Sequence, residues 1–301
     1  MHLLLKALTL TPLPLLHAYA WIIYVIGFYV LRWRRTYTER DIANAFPEAS
    51  ATLRAAILRR SYRNAADTLT EAFWGYGAEP EALKERVTIE NPEVIRRCEH
   101  AGQSVVLLTA HYANWEWLLL AAGVHFGIPI NVVYQHQRVS SIDAFLQKSR
   151  ARFGSSLIPR EDFIYELMAR AGKARTYALI ADQTPRPEHP KIWTRFLHQD
   201  TAFFVGAGKV ARFLDAPVIY VRMRRLARGR YSIRFIVLAE PPYADGEDVL
   251  IVERYAATLE SEIRASPADW LWLQKKWKYP KPTPPAAAGT AATEGTPAPT
   301  P

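Results

Sequence analysis

Hydrophobic and polar positions follow two different periods along this chain. Short apolar runs rich in β-branched residues alternate with stretches in which apolar residues recur every three or four positions. The first pattern is typical of buried strands and the second of helices that cover a sheet. The alternation predicts an α/β fold with a mixed central sheet flanked by helices. Strands are predicted at 87–90, 105–108, 130–134, 156–159, 177–180, 218–223 and 231–238, and helices at 39–74 (with a turn at 46–48), 91–100, 117–122, 142–153, 163–171, 203–214 and 246–265.

The first apolar stretch, residues 13–31, contains no Asp, Glu, Lys or Arg, and the basic run Arg32-Trp33-Arg34-Arg35 follows it. A helix needs roughly 20 apolar residues to cross a bilayer, so residues 1–35 are predicted to form an N-terminal membrane-anchor helix. The basic run would keep the following domain in the cytosol. A signal peptide would have a shorter apolar core and a small-residue cleavage site. A helix packed on the domain, or lying in the membrane interface, is the alternative that the sequence leaves open.

The remaining chain divides into one folded unit and a tail. The chain has 301 residues, half of them hydrophobic, enough for the core of one large domain or two small ones. The predicted strands place the main domain at 36–280. Residues 281–301 are nearly all Pro, Ala, Thr and Gly and are predicted to form a disordered tail, because this composition cannot bury a core.

Charge and aromatic content limit the possible partners. The net charge is +9 and the pI is about 9.6, which points to an anionic partner: a nucleic acid, a phospholipid surface or an acidic carrier protein. Nine Trp residues favour a lipid-facing or deep apolar site. The single cysteine, Cys98, excludes an internal disulfide and a multi-cysteine metal site, in keeping with a reducing compartment.

The candidate chemistry lies at the end of the apolar run 105–108. His111 follows this predicted strand, and Glu116 comes five residues later, where a helical pattern begins. Open α/β sheets build active sites where strands end. A turn at 112–114 would have to bring the two side chains together, since five residues on a continuous helix would point them apart. An imidazole with a carboxylate in reach can take a proton from a hydroxyl group. A capping His and a solvated Glu are the structural alternative.

Other motifs are incomplete. Residues 206–209 (GAGK) lack the earlier Gly and the following Ser or Thr of a phosphate-binding loop. The sequence has no G-x-S-x-G nucleophile elbow, no H-E-x-x-H pair and no recognised nucleic-acid module. No cofactor, no metal site and no nucleic-acid partner are therefore expected.

The segment HYANWE, with His111 and Glu116 at its ends, resembles the H-x4-D/E motif of the lysophospholipid (glycerolipid) acyltransferase superfamily. Its N-W-E ending is most similar to the late, or secondary, acyltransferases of lipid A biosynthesis in Gram-negative bacteria. The resemblance covers most of the chain, including the apolar start and its basic run. Further segments match in order: NAFPE at 44–48, the basic helix end at 150–154, Asp182-Gln183 of a D-Q motif, and the W-x-x-R-R-x-K-like ending at 272–278.

Three segments depart from the family pattern. Phe196-Leu197-His198 stands where the family usually has F-F-G, and the loop 185–190 lacks the Gly that is common after D-Q. The ending has Lys275-Lys276 in place of paired Arg, which replaces a bidentate phosphate fork with point charges. These departures affect the expected identity of the acceptor more than the expected reaction.

The resemblance implies a membrane-associated O-acyltransferase of lipopolysaccharide biosynthesis. It would transfer a fatty acyl chain from acyl carrier protein to a hydroxyl of a lipid A precursor, at the cytoplasmic side of the inner membrane. His111 is expected to act as general base and Glu116 to orient it. Direct attack of the hydroxyl on the thioester requires no Ser or Cys nucleophile and no cofactor.

The remaining candidate residues are expected to bind substrate. Arg150 and Arg152 are candidates for the sugar phosphates, because guanidinium groups match phosphate geometry. Asp182 and Gln183 would hold the substrate or brace the neighbouring catalytic loop. Asn114 would contact substrate or only cap the helix that follows it.

Three other functions stay open from the sequence. The acceptor could be another lipid: a lysophospholipid, an amino-acid lipid or a glycolipid. A non-catalytic membrane-associated protein of the same fold, or a membrane-bound metal hydrolase, would lie outside the acyltransferase class; only the hydrolase would lose activity to chelators.

Overall fold

The computed structural model describes residues 7–137, 139–169 and 172–282. The start of the predicted anchor and nearly all of the predicted tail lie outside these residues. A seven-stranded sheet, in the order β1-β9-β8-β2-β5-β3-β4, forms the centre, and β6 and β7 form a separate hairpin. The strands are β1 Val87–Ile89, β2 Val105–Thr109, β3 Ile130–Tyr134, β4 Ser156–Pro159, β5 Thr176–Ile180, β6 Lys191–Phe196, β7 Gln199–Phe204, β8 Val218–Ala227 and β9 Arg230–Ala239.

Helices flank this sheet, as predicted. They are α1 Leu13–Val25, continued by a π-helical turn Ile26–Val30, then α2 Arg35–Ala45, α3 Ala51–Gly77, α4 Pro80–Lys84, α5 Glu93–His100, α6 Trp115–Phe126, α7 Ser140–Ala151, α8 Phe163–Ala169, α9 Gly206–Leu214, α10 Glu247–Ala265 and a 3₁₀ turn Pro267–Asp269. The mixed α/β fold class is confirmed.

The central strand β2 determines where the site forms. It pairs in parallel with β5 on one side and with β8 on the other, and Leu108 lies opposite Leu179 and Tyr220. Its apolar run is buried because helices and strands cover both faces, as is usual for parallel strands. The β8–β9 pair is antiparallel, and β1 adds in parallel to β9, so the sheet is mixed. The carboxyl ends of β2 and β5 meet at one edge.

The predicted helix 203–214 is wrong in its first residues. β7 continues to Phe204, and the helix begins only at Gly206. The β6–β7 hairpin was not predicted, because its turn residues Leu197 and His198 lack the usual Asn or Gly although both have positive φ, 50° and 63°. The pairing is stabilised by tertiary contacts, such as the edge-to-face packing of Phe196 on Phe203 with ring centroids 5.3 Å apart.

The apolar N-terminal helix lies against the domain. One helix, Leu13–Val30, is long and apolar enough to cross a membrane by length and composition. Its inward side packs on the long helix α3, which begins at the N-cap Ser50. One face of the predicted anchor therefore belongs to the core of the domain.

Candidate active site

The loop after β2 carries the first site residue. β2 ends at Thr109, His111 follows, and Ala113 adopts a positive φ of 50° that reverses the chain. α6 then begins with Asn114 as its N-cap, whose side chain accepts a hydrogen bond from the Trp117 amide at 3.0 Å. The sharp reversal lets His111 and Glu116, at the two ends of the HYANWE segment, line one cavity. This is the turn that the sequence requires for the two residues to share a site.

His111 contacts a carboxylate from the neighbouring strand. Its Nδ1 lies 2.8 Å from Asp182 Oδ1, and its backbone amide donates to Asp182 Oδ2 at 3.1 Å. Trp270 Nε1 and Gln274 Nε2 donate to the same Oδ2 at 3.0 and 2.8 Å. Asp182 lies two residues after Ile180, which ends β5, so parallel pairing of β2 with β5 produces the contact.

The Asp182 carboxyl is ionised at neutral pH. Its side chain is completely buried, which raises the pKa, but the pairing with His111 and the hydrogen bond from Gln274 outweigh burial and lower the pKa to about 2. An ionised carboxylate only accepts hydrogen bonds, so His111 Nδ1 must carry the proton. Nε2 is then the basic atom of the ring. This is the tautomer that a general base needs.

Contrary to the prediction, Glu116 is not the partner of His111. The Glu116 carboxylate accepts two hydrogen bonds from Arg150, from Nη2 at 2.6 Å and Nε at 3.0 Å, and one from Trp115 Nε1 at 3.2 Å. Trp115 packs edge-on against the His111 ring with centroids 5.1 Å apart. The first turn of α6 directs Glu116 toward α7, where Arg150 lies, and Asp182 takes the orienting position. Glu116 therefore reaches His111 only through the indole between them.

His111, Glu116 and Arg150 lie at one end of an apolar cavity. Their side chains are 16%, 13% and 18% exposed. The cavity has a volume of about 350 Å³ and lies between the sheet and its covering helices. Most of the residues that line it are aliphatic or aromatic, among them Leu107, Leu118, Phe126, Ile130, Val221 and Phe235. A basic ring nitrogen in the lining of an apolar cavity suits a substrate with a reacting polar end and a hydrocarbon chain.

The sequence matches the family model described as "Bacterial lipid A biosynthesis acyltransferase" over residues 2–279. The chain belongs to this family. It is also similar to lipid A biosynthesis acyltransferase 2 of Shigella flexneri, with 23% identity over 269 residues that cover 85% of this chain and 82% of that protein. The predicted family and enzyme class are confirmed: the protein is an acyltransferase of lipid A biosynthesis.

In this acyltransferase, Arg152 does not reach the cavity. Its Nη1 donates to the backbone carbonyls of Gly75, Tyr76 and Ala78, with the Tyr76 oxygen at 2.8 Å. These carbonyls end α3 and have no partners within that helix, and a cation there also complements the helix dipole. Arg152 therefore caps a helix in this structure, and its contact with sugar phosphates stays a prediction. Arg150 is the one of the two that lines the site.

Asn114 is also structural. It is fully buried, and besides capping α6 its Nδ2 donates to Glu71 Oε2 at 2.7 Å. The alternative of a helix cap is confirmed, whereas the substrate contact stays a prediction, at a residue that does not line the cavity. Gln183, in contrast, is exposed and lines the cavity, where an acceptor can reach it.

The C-terminal segment supplies residues that the sequence did not assign to the site. Trp270 and Gln274 hold Asp182, and Lys276 lies beneath the same loop, fully buried. Lys276 Nζ donates to the Ala202 carbonyl at 3.1 Å and to the Gln183 carbonyl at 3.4 Å. Burial lowers the pKa of Lys276 to about 7.

The two ending lysines therefore do not act together as surface charges. Lys276 braces the Asp182-Gln183 loop, and Lys275 stacks over the Tyr37 ring at 4.4 Å. The sequence signal for these contacts is the W-x-x-R-R-x-K-like ending. The sequence alone does not show that this ending contacts the D-Q motif, because the two segments lie far apart along the chain. In the described part of the chain, no group of three or more His, Cys, Asp or Glu side chains is arranged to hold a metal ion.

Proposed function

We propose that this acyltransferase moves a fatty acyl chain from the thioester of acyl carrier protein to a hydroxyl of a lipid A precursor. It would act at the cytoplasmic face of the inner membrane of a Gram-negative bacterium. The observation that carries the proposal is His111, paired with the buried Asp182, in the lining of an apolar cavity. A base of this kind activates a hydroxyl group, and the cavity suits a fatty chain.

In the proposed mechanism, His111 Nε2 takes the proton of the acceptor hydroxyl as its oxygen attacks the thioester carbonyl. Asp182 stabilises the imidazolium that forms. When the tetrahedral intermediate collapses, the carbon–sulfur bond breaks, and the thiolate takes the proton from His111 Nε2. The products are an ester and the free thiol of the carrier. General-base assistance of this kind contributes about 10² to 10⁴ in rate.

We assign the Glu116–Arg150 pair a positioning role at the cavity mouth. Glu116 holds the Trp115 indole against the His111 ring, which limits the rotation of the imidazole. The bidentate contact with Glu116 uses Nε and Nη2 of Arg150. Nη1 is then available to donate to a phosphate of the acceptor. Gln183 lies beside the same opening and would contact the acceptor.

The basic charge supports both proposed macromolecular partners. A net charge of +9 attracts an acidic carrier protein and an anionic membrane alike. The exposed apolar side of Leu13–Val30 supports membrane association, which would bring the cavity mouth to a lipid acceptor.

The test is transfer of a labelled acyl group from acyl carrier protein to a tetra-acylated lipid A precursor bearing inner-core sugars. We expect His111→Ala and Asp182→Asn each to lower the rate at least a hundredfold, because one loses the base and the other its tautomer. His100→Ala, at an exposed histidine, is the matched control and should keep the wild-type rate. Transfer that survives both site variants would overturn the mechanism.

Two further arms separate the alternatives. Wild-type transfer only to a lysophospholipid, an amino-acid lipid or a glycolipid would overturn the acceptor but keep the chemistry. No transfer to any lipid, together with hydrolysis that a chelator abolishes, would overturn the general-base proposal.

A further inference from the structure

The N-terminal helix has two different apolar faces. Its inward face consists of buried residues at helical spacing: Leu13, Leu16, Ala20, Tyr24 and Phe28. Its outward face is exposed and carries no charge, and it includes Leu15, Tyr19, Trp21, Ile22, Ile26 and Tyr29. A contiguous exposed apolar face of this length requires a partner that covers it.

A polar contact inside the helix–domain interface fixes the inward face. His17 Nε2 lies 2.9 Å from Glu71 Oε1, and Glu71 is completely buried. Arg228 Nη2, at the β8–β9 turn, donates to the His17 carbonyl at 2.9 Å. The helix is thus joined to both α3 and the sheet as well as packed on them.

A membrane-crossing orientation conflicts with these contacts. To span the bilayer, the helix would have to expose its whole circumference to lipid, with His17 in the hydrocarbon region. Glu71 would lose the His17 donor inside the protein interface, and a buried carboxylate oxygen left without its hydrogen-bond donor is unfavourable. The docked position avoids both costs and still leaves the outward face free.

The surroundings of the outward face indicate what covers it. The exposed, positively charged residues Arg32 and Arg34 follow the helix directly, with the exposed Trp33 between them. Arg63 of α3 lies over the Tyr24 ring at 5.0 Å, at the edge of the helix. Aromatic and basic residues around an apolar face fit the interface of an anionic phospholipid membrane. A second copy of this chain would bring the same positive charges together.

We propose that the Leu13–Val30 helix lies in the plane of one leaflet, docked on the catalytic domain, with its outward face among the acyl chains. Both ends of the helix then stay on the side of the membrane where the domain lies. This inference depends on the membrane association within the proposed function and adds its geometry. It also favours the interfacial alternative that the sequence left open over a single crossing.

Labelling in sealed phosphatidylethanolamine–phosphatidylglycerol vesicles tests the topology. The full chain carries Cys98→Ser and one new cysteine, either Thr11→Cys before the helix or Glu99→Cys on the exposed end of α5 as the marker of the domain. We expect a membrane-impermeant maleimide, added outside, to label both variants without permeabilisation. Labelling of Thr11→Cys only after permeabilisation, in vesicles where Glu99→Cys reacts directly, would overturn the proposal.

Depth measurements give a second, independent readout. A fluorophore attached at Leu15→Cys, Ile22→Cys or Tyr29→Cys is quenched by lipids that carry bromine at a known position along their chains. We expect the quenching to report the same membrane depth for all three positions. A spanning helix would instead place Ile22 deepest and the other two near opposite surfaces. Either that gradient or equal and negligible quenching at all three positions would contradict an in-plane helix.

Flotation of the vesicles separates this inference from the enzymatic proposal. A protein that stays off the vesicles, as a monomer or as a dimer through the outward face, would overturn membrane docking while leaving the acyl-transfer result unaffected. A protein that floats and labels as expected but transfers no acyl group would overturn the enzymatic proposal alone.

Discussion

At the scale of single residues, the charge state of Asp182 determines what His111 can do. The carboxyl is surrounded by three donors besides the imidazole: the His111 amide, the Trp270 indole and the Gln274 amide. These donors stabilise its charged form and hold both oxygens in place. The imidazole therefore receives a fixed orientation and a fixed tautomer from one buried side chain.

The shift in the pKa of Asp182 predicts an acid-sensitive contribution to stability. Because the pKa falls from 3.8 to about 2 on folding, the contribution is present above about pH 4 and is lost as the pH falls towards 2. A shift of this size corresponds to about 2 kcal/mol. We expect the unfolding free energy of the wild type to fall more steeply between pH 5 and pH 2 (roughly the window of the shift) than that of Asp182→Asn, measured by denaturant titration.

The control for this prediction is Asp162→Asn, at an exposed carboxyl. It should follow the pH dependence of the wild type. Equal slopes for the wild type and Asp182→Asn would show that the buried pair does not contribute in this way.

Two neighbouring arginines should separate activity from stability. Arg150→Met leaves Glu116 without its partner at the cavity mouth, so we expect transfer to fall at least tenfold, mainly through the KM for the acceptor. Arg152→Met removes a charged donor to three carbonyls and should lower the unfolding free energy by about 1–3 kcal/mol while kcat stays near wild type. Steady-state kinetics and denaturation of both variants test this, and the opposite pattern would contradict the two assignments.

At the scale of elements, helix α3 connects the N-terminal helix α1 to the loop that carries His111. Glu71 on α3 accepts from His17 of α1, from Asn114 at the start of α6 and from Tyr231 of β9. These hydrogen bonds lower the pKa of Glu71 although burial acts to raise it. An acceptor-only carboxylate is required because its three side-chain partners are all donors.

Replacing this carboxylate by an amide should destabilise the protein. Glu71→Gln brings an NH₂ donor toward one of the donors His17, Asn114 or Tyr231, and we expect the unfolding free energy to fall by about 1–3 kcal/mol. Glu81→Gln, at the exposed side chain on α4, should change it by no more than about 0.5 kcal/mol. Denaturant titration of both variants measures the difference, and equal effects would show that the buried network carries no weight.

At the scale of the whole molecule, the sheet order brings distant segments into one site. His111 and Asp182 are 71 positions apart along the chain, and Gln274 is 92 positions beyond Asp182. Parallel pairing of β2 with β5 aligns the first two residues, and the segment after α10 crosses the same edge to supply the third. The apolar cavity then lies beside His111.

Much of this architecture could be predicted from local patterns. The apolar run of β2 and the polar residues after it placed His111 correctly at a strand end, and the predicted strand 177–180 placed Asp182 after another. The β6–β7 hairpin could not be predicted, because its Leu197–His198 turn is stabilised by tertiary contacts. The roles of Arg152 and Asn114 depended in the same way on which helix end lay beside them.

The sequence by itself determined the fold class, the family and the position of His111 just after β2, because periodicity and short motifs depend on neighbours along the chain. Only the tertiary structure decided that Asp182 rather than Glu116 holds His111, and that the apolar N-terminal helix is docked on α3. Both depend on contacts between segments far apart in sequence. Such contacts are fixed by strand register and helix packing, which local patterns do not specify.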